Sequence, residues 1–182
     1  PLATQILADL GADVVKIERP EGDPYRSYQS GQFSPHFQAY NRNKRSLALD
    51  LNRPDDREIF DQLVRKADVY IQNFRPGTAD RLGAGVERLR SLNPALVYCS
   101  ISGFGSTGPY ADRPSYDSVA QALSGFLSVV VDTERPRFLG PALADAITLN
   151  GTSLVFLVQA ARPLLRPGSS IVFLSSRGTR QV

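Results

Sequence analysis

The sequence predicts an α/β fold, a Rossmann-like, mainly parallel sheet with flanking helices. Three observations carry this expectation. Short apolar runs rich in β-formers recur at 13–18, 47–51, 68–72 and 96–101. Segments of helical periodicity alternate with them along the chain. Each run then opens into polar residues, glycine and proline, as strands do at the binding edge of an open α/β sheet. The alternation does not by itself fix strand order.

Residues 3–10 have the spacing of a short amphipathic helix, and Gly11 is placed to end it in a left-handed conformation. Residues 13–18 (DVVKIE) form the first strand, with Arg19 at its carboxyl end. Pro20, Gly22, Pro24, Gly31 and Pro35 make residues 20–40 a long loop. Its aromatics are Tyr25, Tyr28, Phe33, Phe37 and Tyr40. They are read as packing onto the domain or a partner subunit in preference to forming a pocket wall. The basic run 41–46 (NRNKRS) extends the loop, and residues 47–51 form the next strand.

Pro54 near a helix start, with Asp55, Asp56 and Glu58 in the first turn, begins a helix to about Lys66. Ile59, Leu63 and Val64 form its inner face. Residues 68–72 are a strand that turns at 73–77. Thr78 is placed to cap a short helix carrying Arg81, and residues 86–92 are helical.

Residues 96–101 read as a buried strand opening into a glycine-rich stretch, and a helical pattern returns over 115–124. Gly103, Gly105 and Gly108 spell G-x-G-x-x-G. A dinucleotide fingerprint needs a helix that begins within the motif, and Pro114 opposes one. Residues 103–115 are therefore read as a loop. It is either a plain turn or one whose backbone amides approach a ligand. A second loop with two prolines spans 132–143, and Asp145 starts a helix to about Ala161. Leu149, Leu154, Phe156 and Leu157 are its core candidates. From spacing alone, Asp145 is a helix cap.

Composition narrows the function. With 42% hydrophobic and 21% charged residues, the chain has the balance of a soluble globular protein. A net charge of +3 is too small to argue for nucleic acid and is compatible with an anionic small ligand. Cys99 is the sole cysteine, which excludes an intramolecular disulfide and a cysteine metal cluster. It is read as a packed thiol. His36 is the sole histidine, and nothing near it in sequence builds a Ser-His-Asp triad. No apolar run has the length of a membrane span.

The stretch NPALVYCSISGFGSTGPYADRPSYDSVAQALSG resembles the central signature of the class III (formyl-CoA transferase-like) CoA-transferases. That family also contains α-methylacyl-CoA racemases. ATQILADLGADVVKIERPEGDP, NRNKRSLALDL, ADVYIQNFRPGTADRLG and GPALADAITLNG resemble other blocks of the family, in the same order. The resemblance implies a partial CoA-binding large domain over residues 1–161. It also implies that the family's first strand and second half are missing, so a fragment with an unpaired neighbour in its sheet is expected. Residues 162–182 match poorly. There, RPGSSIVFLSSRG is similar to a degenerate form of the family's basic-glycine turn and following strand. It also looks superficially like a strand of the short-chain dehydrogenases, whose Tyr-x-x-x-Lys is absent.

Coenzyme A asks for cations or amides at its phosphates, a flat apolar surface at its adenine and a narrow channel for its pantetheine arm. Arg19, Lys44, Arg45, Arg75, Arg81 and Arg113 lie in loops or near strand ends. By resemblance, the CoA contacts fall on Arg19, Leu49, Asp50, Asn73, Phe74, Arg75, Arg81, Arg113 and Tyr116. The resemblance makes Asp145 the catalytic nucleophile. It implies CoA and acyl-CoA as substrates with no permanently bound cofactor, a carboxylic acid as second substrate, an interlocked homodimer and a cytoplasmic location. No nucleic acid or membrane partner is expected. Racemases of the family carry a His-Asp pair where this chain has Tyr116-Asp117. A phenol, with a reference pKa near ~10, is a poor base at neutral pH, so transfer is expected over racemization. An inactive CoA- or nucleotide-binding fragment and an NAD-dependent oxidoreductase are the remaining readings.

Overall fold

A computed structural model describes residues 1–27, 34–127, 132, 134 and 169–174. Strands β1 (Asp13–Glu18), β2 (Lys44–Ala48), β3 (Val69–Gln72), β4 (Val97–Ser100) and β5 (Ser170–Leu174) form one sheet in the order β2-β1-β5-β3-β4. Every neighbouring pair is parallel. Helices α1 (Leu2–Asp9), α2 (Pro35–Asn41), α3 (Pro54–Lys66), α4 (Thr78–Arg81), α5 (Val86–Leu92) and α6 (Asp117–Leu123) complete the described elements. The mainly parallel α/β architecture expected from the alternating pattern is the one found.

Alternation along the strands divides the core in two. Val15, Ile17, Tyr70 and Val172 face the side where Phe60 and Val64 of α3 and Leu89 of α5 pack. Val14, Val69, Ile71, Ile171 and Phe173 face the other side, against Leu7 and Ala8 of α1. A parallel sheet covered on both faces needs strands that are apolar throughout, and β3 (VYIQ) is buried at every position. Tyr70 anchors the larger cluster. Its ring meets Phe60 edge-on at 6.0 Å and Tyr98 at 5.1 Å.

The centre of the sheet is β5, which lies in the poorly matching tail. Ile171 pairs with Val14 on one side and Val69 on the other, and Phe173 with Lys16 and Ile71. Where an unpaired neighbour was expected, SIVFL occupies the place between β1 and β3, so that each of those two strands is paired on both sides. Its composition suits that place: Ile171, Val172 and Phe173 are all at most 2% exposed.

Four local expectations need correction. Ile59, expected on the inner face of α3, is 44% exposed, and Phe60 packs into the core instead. Residues 20–40 are not all loop, since Pro24–Arg26 form a 3-10 turn and α2 begins at Pro35. Proline at a first helical position fits there because its missing N–H has no partner to lose. Next, β2 starts three residues earlier than the apolar run, at Lys44. It is an edge strand with exposed Arg45 and Ser46, so hydrophobicity marks only its end. Finally, the residue before α4 is Gly77 in a left-handed conformation, and Thr78 is the first helical residue. Gly11 does end α1 with φ of 98°, as expected.

Candidate functional site

Because the five strands are parallel, their carboxyl ends share one edge. From β1 the chain crosses to β2 on one flank, then returns past β5 to β3 and β4 on the other. That reversal is a topological switch point, where open α/β sheets leave a crevice outside the strand ends. The segments after β1, β2, β3 and β4 contain Arg19, Leu49 and Asp50, Asn73 to Arg75, and the glycine loop with Arg113 and Tyr116. The fold thus carries the sequence-derived contacts to one edge in two groups, with β5 between them.

On the β1–β2 flank, Arg19 is exposed and its Nε bonds Gly22 O at 3.3 Å. The turn that carries it is fixed from beneath. Glu18 accepts from Arg26 Nη2 at 2.7 Å, Arg26 Nε at 2.8 Å, Ser46 Oγ at 2.7 Å and the Asp23 amide at 2.9 Å. Lys16, 1% exposed, reaches Asp23 Oδ2 at 2.6 Å. Burial alone would raise the Glu18 carboxyl, but the Arg26 and Ser46 hydrogen bonds, Lys16 and the Asp23 amide together hold it at about 2. The Phe37 ring of α2 lies 4.1 Å from the Arg26 guanidinium, which gives this aromatic a packing role. Nearby, burial and the Lys16 charge bring the Lys44 ammonium down to about 7. It donates to Pro1 O, Tyr40 O and Asn41 Oδ1. Leu49 packs its side chain into the core, so only its backbone faces the edge. Asp50 Oδ1 caps the Asn52 amide at 3.0 Å.

On the β3–β4 flank, Phe74 is 8% exposed and belongs to the core, while Arg75 is exposed. Between them and β3, the Asn73 side-chain oxygen is buried without a hydrogen-bond partner among the described residues. A buried acceptor left open at a strand end suits a ligand donor such as an adenine amino group or an amide. Arg81 is exposed and bonds Thr78 Oγ1 at 2.9 Å. Gly103 lies so close to Ser115 that a Cβ would stand 2.0 Å from the serine Cβ, so the glycine is sterically required. This contact folds the loop back on itself. Phe104 meets Tyr110 edge-on at 5.7 Å between ring centres, and the Arg113 guanidinium lies over the Tyr110 ring at 4.5 Å. Tyr116 is 56% exposed and immediately precedes α6. No helix begins within the G-x-G-x-x-G stretch, and α6 starts only at Asp117. A pyrophosphate bound in the dinucleotide manner would find no helix N-terminus there.

Asp145 and the helix expected from it lie outside the described residues. An open depression of about 250 Å³ beside the first turns of α3 is lined by Asn52, Pro54, Arg57, Glu58 and Asp61. Its two carboxylates make it a poor place for phosphates. Among the described residues no group of three or more His, Cys, Asp or Glu side chains is placed to hold a metal. None of the described helices is long and apolar enough to cross a membrane.

Residues 1–164 match CoA-transferase family III. The chain belongs to that family. It is 43% identical over 172 residues to succinate–glutarate CoA-transferase of Agrobacterium fabrum, covering 88% of this chain and 42% of that protein. It is 47% identical over 150 residues to acetyl-CoA:oxalate CoA-transferase of Acetobacter aceti, covering 80% and 39%. Among solved structures, a CAIB/BAIF family protein from Brucella suis superposes with a TM-score of 0.83 at 39% identity, covering 95% of this chain and 48% of that one. The chain therefore spans about two-fifths of the length of the curated relatives it matches.

Within family III, the match stops short of β5, although β5 completes the sheet that positions both flanks. Two sets of residues at this edge were not singled out from the sequence. One is the Glu18–Asp23–Arg26–Ser46 group. Its sequence signal is a scatter of charges at and after the end of β1, which reads equally well as solvated surface. The other is Gln72, whose polar side chain ends an apolar strand.

Proposed function

We propose that this chain supplies the CoA-binding sheet of an enzyme that moves CoA from an acyl-CoA to a free carboxylic acid. The observation that carries the reading is the convergence at one sheet edge of the segments holding Arg19, Asp50, Asn73 to Arg75 and Arg113, in a chain of family III. The arginines suit phosphates, the Asn73 oxygen suits an amide or amino donor, and the exposed Tyr110 ring offers flat apolar surface. CoA and acyl-CoA are substrates, and no resident cofactor is invoked. The proposed assembly is a homodimer and the proposed compartment the cytoplasm. Residues 1–161 are the proposed CoA-binding unit, with 162–182 continuing the same domain.

Asp145 is the proposed nucleophile. A carboxylate ionised at neutral pH needs no base. It attacks the thioester carbonyl and expels CoA thiolate, leaving an acyl–aspartyl anhydride. The thiolate then attacks the aspartyl carbonyl and releases the donor acid, leaving an aspartyl-CoA thioester. The acceptor carboxylate attacks that thioester and expels the thiolate again. Attack of the thiolate on the acceptor acyl group yields the new acyl-CoA and frees Asp145. Covalent catalysis of this kind divides one difficult exchange into easier steps.

The test uses the enzyme containing this chain, with calorimetry for CoA and NAD and hydroxylamine trapping in the presence of acyl-CoA. CoA should bind more tightly than NAD. Asp145→Ala should leave CoA binding nearly intact and abolish transfer, and peptide mass should find a hydroxamate at Asp145. A hydroxamate at Asp117, or turnover by Asp145→Ala, would refute the assignment. Exchange of the α-proton of a 2-methylacyl-CoA into solvent without any acceptor acid would place the chemistry with racemization instead.

A further inference from the structure

We infer that Gln72 is a positioning residue that braces the two loop segments of the β3–β4 flank against each other. The inference rests on the reading of this edge as the CoA site. Gln72 is the last residue of β3 and is 5% exposed. It stands in register with Ser100, the last residue of β4. Its side-chain Oε1 accepts the Phe74 amide at 2.7 Å, across the backbone of Asn73. Its Nε2 donates to Ser100 Oγ at 2.7 Å. Its backbone oxygen accepts the Ile101 amide at 2.9 Å, the first residue beyond β4. Beside it, the Tyr98 hydroxyl donates to Ala84 O at 3.0 Å.

One side chain thus holds both the segment that leaves β3 at 73–74 and the start of the glycine loop after β4. Each bond has a separate consequence. The bond to Phe74 fixes the backbone directly after the strand, where Phe74 packs into the core and the Asn73 oxygen is left without a partner among the described residues. The bond to Ser100 fixes the strand end from which residues 101–116 depart. A primary amide is the side-chain group that offers an acceptor to one segment and donors to the other from one rigid plane. A leucine of similar volume would fill the space and leave the buried Phe74 amide without an acceptor.

The experiment compares the enzyme containing this chain with its Gln72→Leu and Ser100→Ala variants by amide hydrogen exchange and by CoA titration calorimetry. Gln72→Leu should exchange about tenfold faster at Phe74 and across 101–104, with the β1 and β5 amides as protected as before. Its CoA dissociation constant should rise about tenfold. Ser100→Ala should loosen only 101–104 and leave the Phe74 amide protected. Uniformly faster exchange through the sheet would identify Gln72 as ordinary core packing and overturn the inference. Unchanged exchange at both loops, or loosened loops with an unchanged dissociation constant, would overturn it as well. Should Gln72→Leu fail to fold, the one-sided effect of Ser100→Ala decides the matter. Absence of CoA binding by the unsubstituted enzyme would refute the functional reading first, and the exchange pattern would then judge the brace alone.

Discussion

Replacing Glu18 by glutamine tests whether the turn bearing Arg19 is held by charge. The Glu18 side chain is 2% exposed and accepts from Arg26, Ser46 and the Asp23 amide, with Lys16 Nζ at 3.7 Å. Its carboxyl is held at about 2 against an ordinary 4.5. The folded value lies below the unfolded one, so the stabilisation is present above about pH 4.5 and is lost as pH falls towards about 2. That gap corresponds to about 3 kcal/mol at full strength. Arg26, its nearest cation, is 42% exposed. Solvent screening of that partner lowers the expectation to about 2 kcal/mol. Glutamine keeps the shape and an acceptor but removes the charge. Urea unfolding should therefore find Glu18→Gln about 2 kcal/mol less stable near pH 7, with less than half that difference near pH 3. An equal penalty at both pH values would mean that packing, not charge, fixes the turn. No penalty at either would mean that the cluster contributes nothing net, as buried ion pairs sometimes do.

Two further predictions concern the sheet. Val172 is 1% exposed in the middle of β5. Val172→Asp places an unpaired charge there and should cost more than about 3 kcal/mol, and a chain ending at residue 168 should show no cooperative thermal transition by circular dichroism. A truncated chain melting at the same midpoint would show that β5 is dispensable. Burial pushes the Cys99 thiol up to about 11 from an ordinary 9.0. Its reaction with a disulfide reagent at mildly alkaline pH should be about 100-fold slower in the folded chain than in urea, and equal rates would refute a packed thiol.

The alternation of strand and helix was legible because each β-α unit is local. DVVKIE, the acidic first turn after Pro54, and LVYCS all declare themselves within a few residues. The edge position of the candidate contacts followed from that pattern too, because parallel strands put every carboxyl end on one side. The missed features are those that depend on distant partners. Helix α2 was hidden by prolines and glycines that make 20–40 look like one loop, yet Pro35 sits at the one helical position where proline has no amide to lose. The start of β2 was hidden because Lys44 and Arg45 are polar, and an edge strand need bury little of itself.

Gln72 and β5 are the instructive omissions, since both lie at places where local rules cannot choose. A polar residue ending an apolar strand is ordinarily a boundary marker. Only the register with Ser100 and the bond from the Phe74 amide make it a brace. Likewise SIVFL is legible as a buried strand, but its two neighbours, β1 and β3, are remote from it in sequence. The strand that separates the two groups of candidate contacts is thus contributed by residues outside the family match. The arginines and asparagine are placed by local turns, but the distance between the two flanks is set by β5. Shifting its register by one residue would turn Ile171 and Phe173 to the opposite face and exchange them with Val172. The crevice geometry at the sheet edge therefore depends on core packing in a segment that carries none of the candidate contacts.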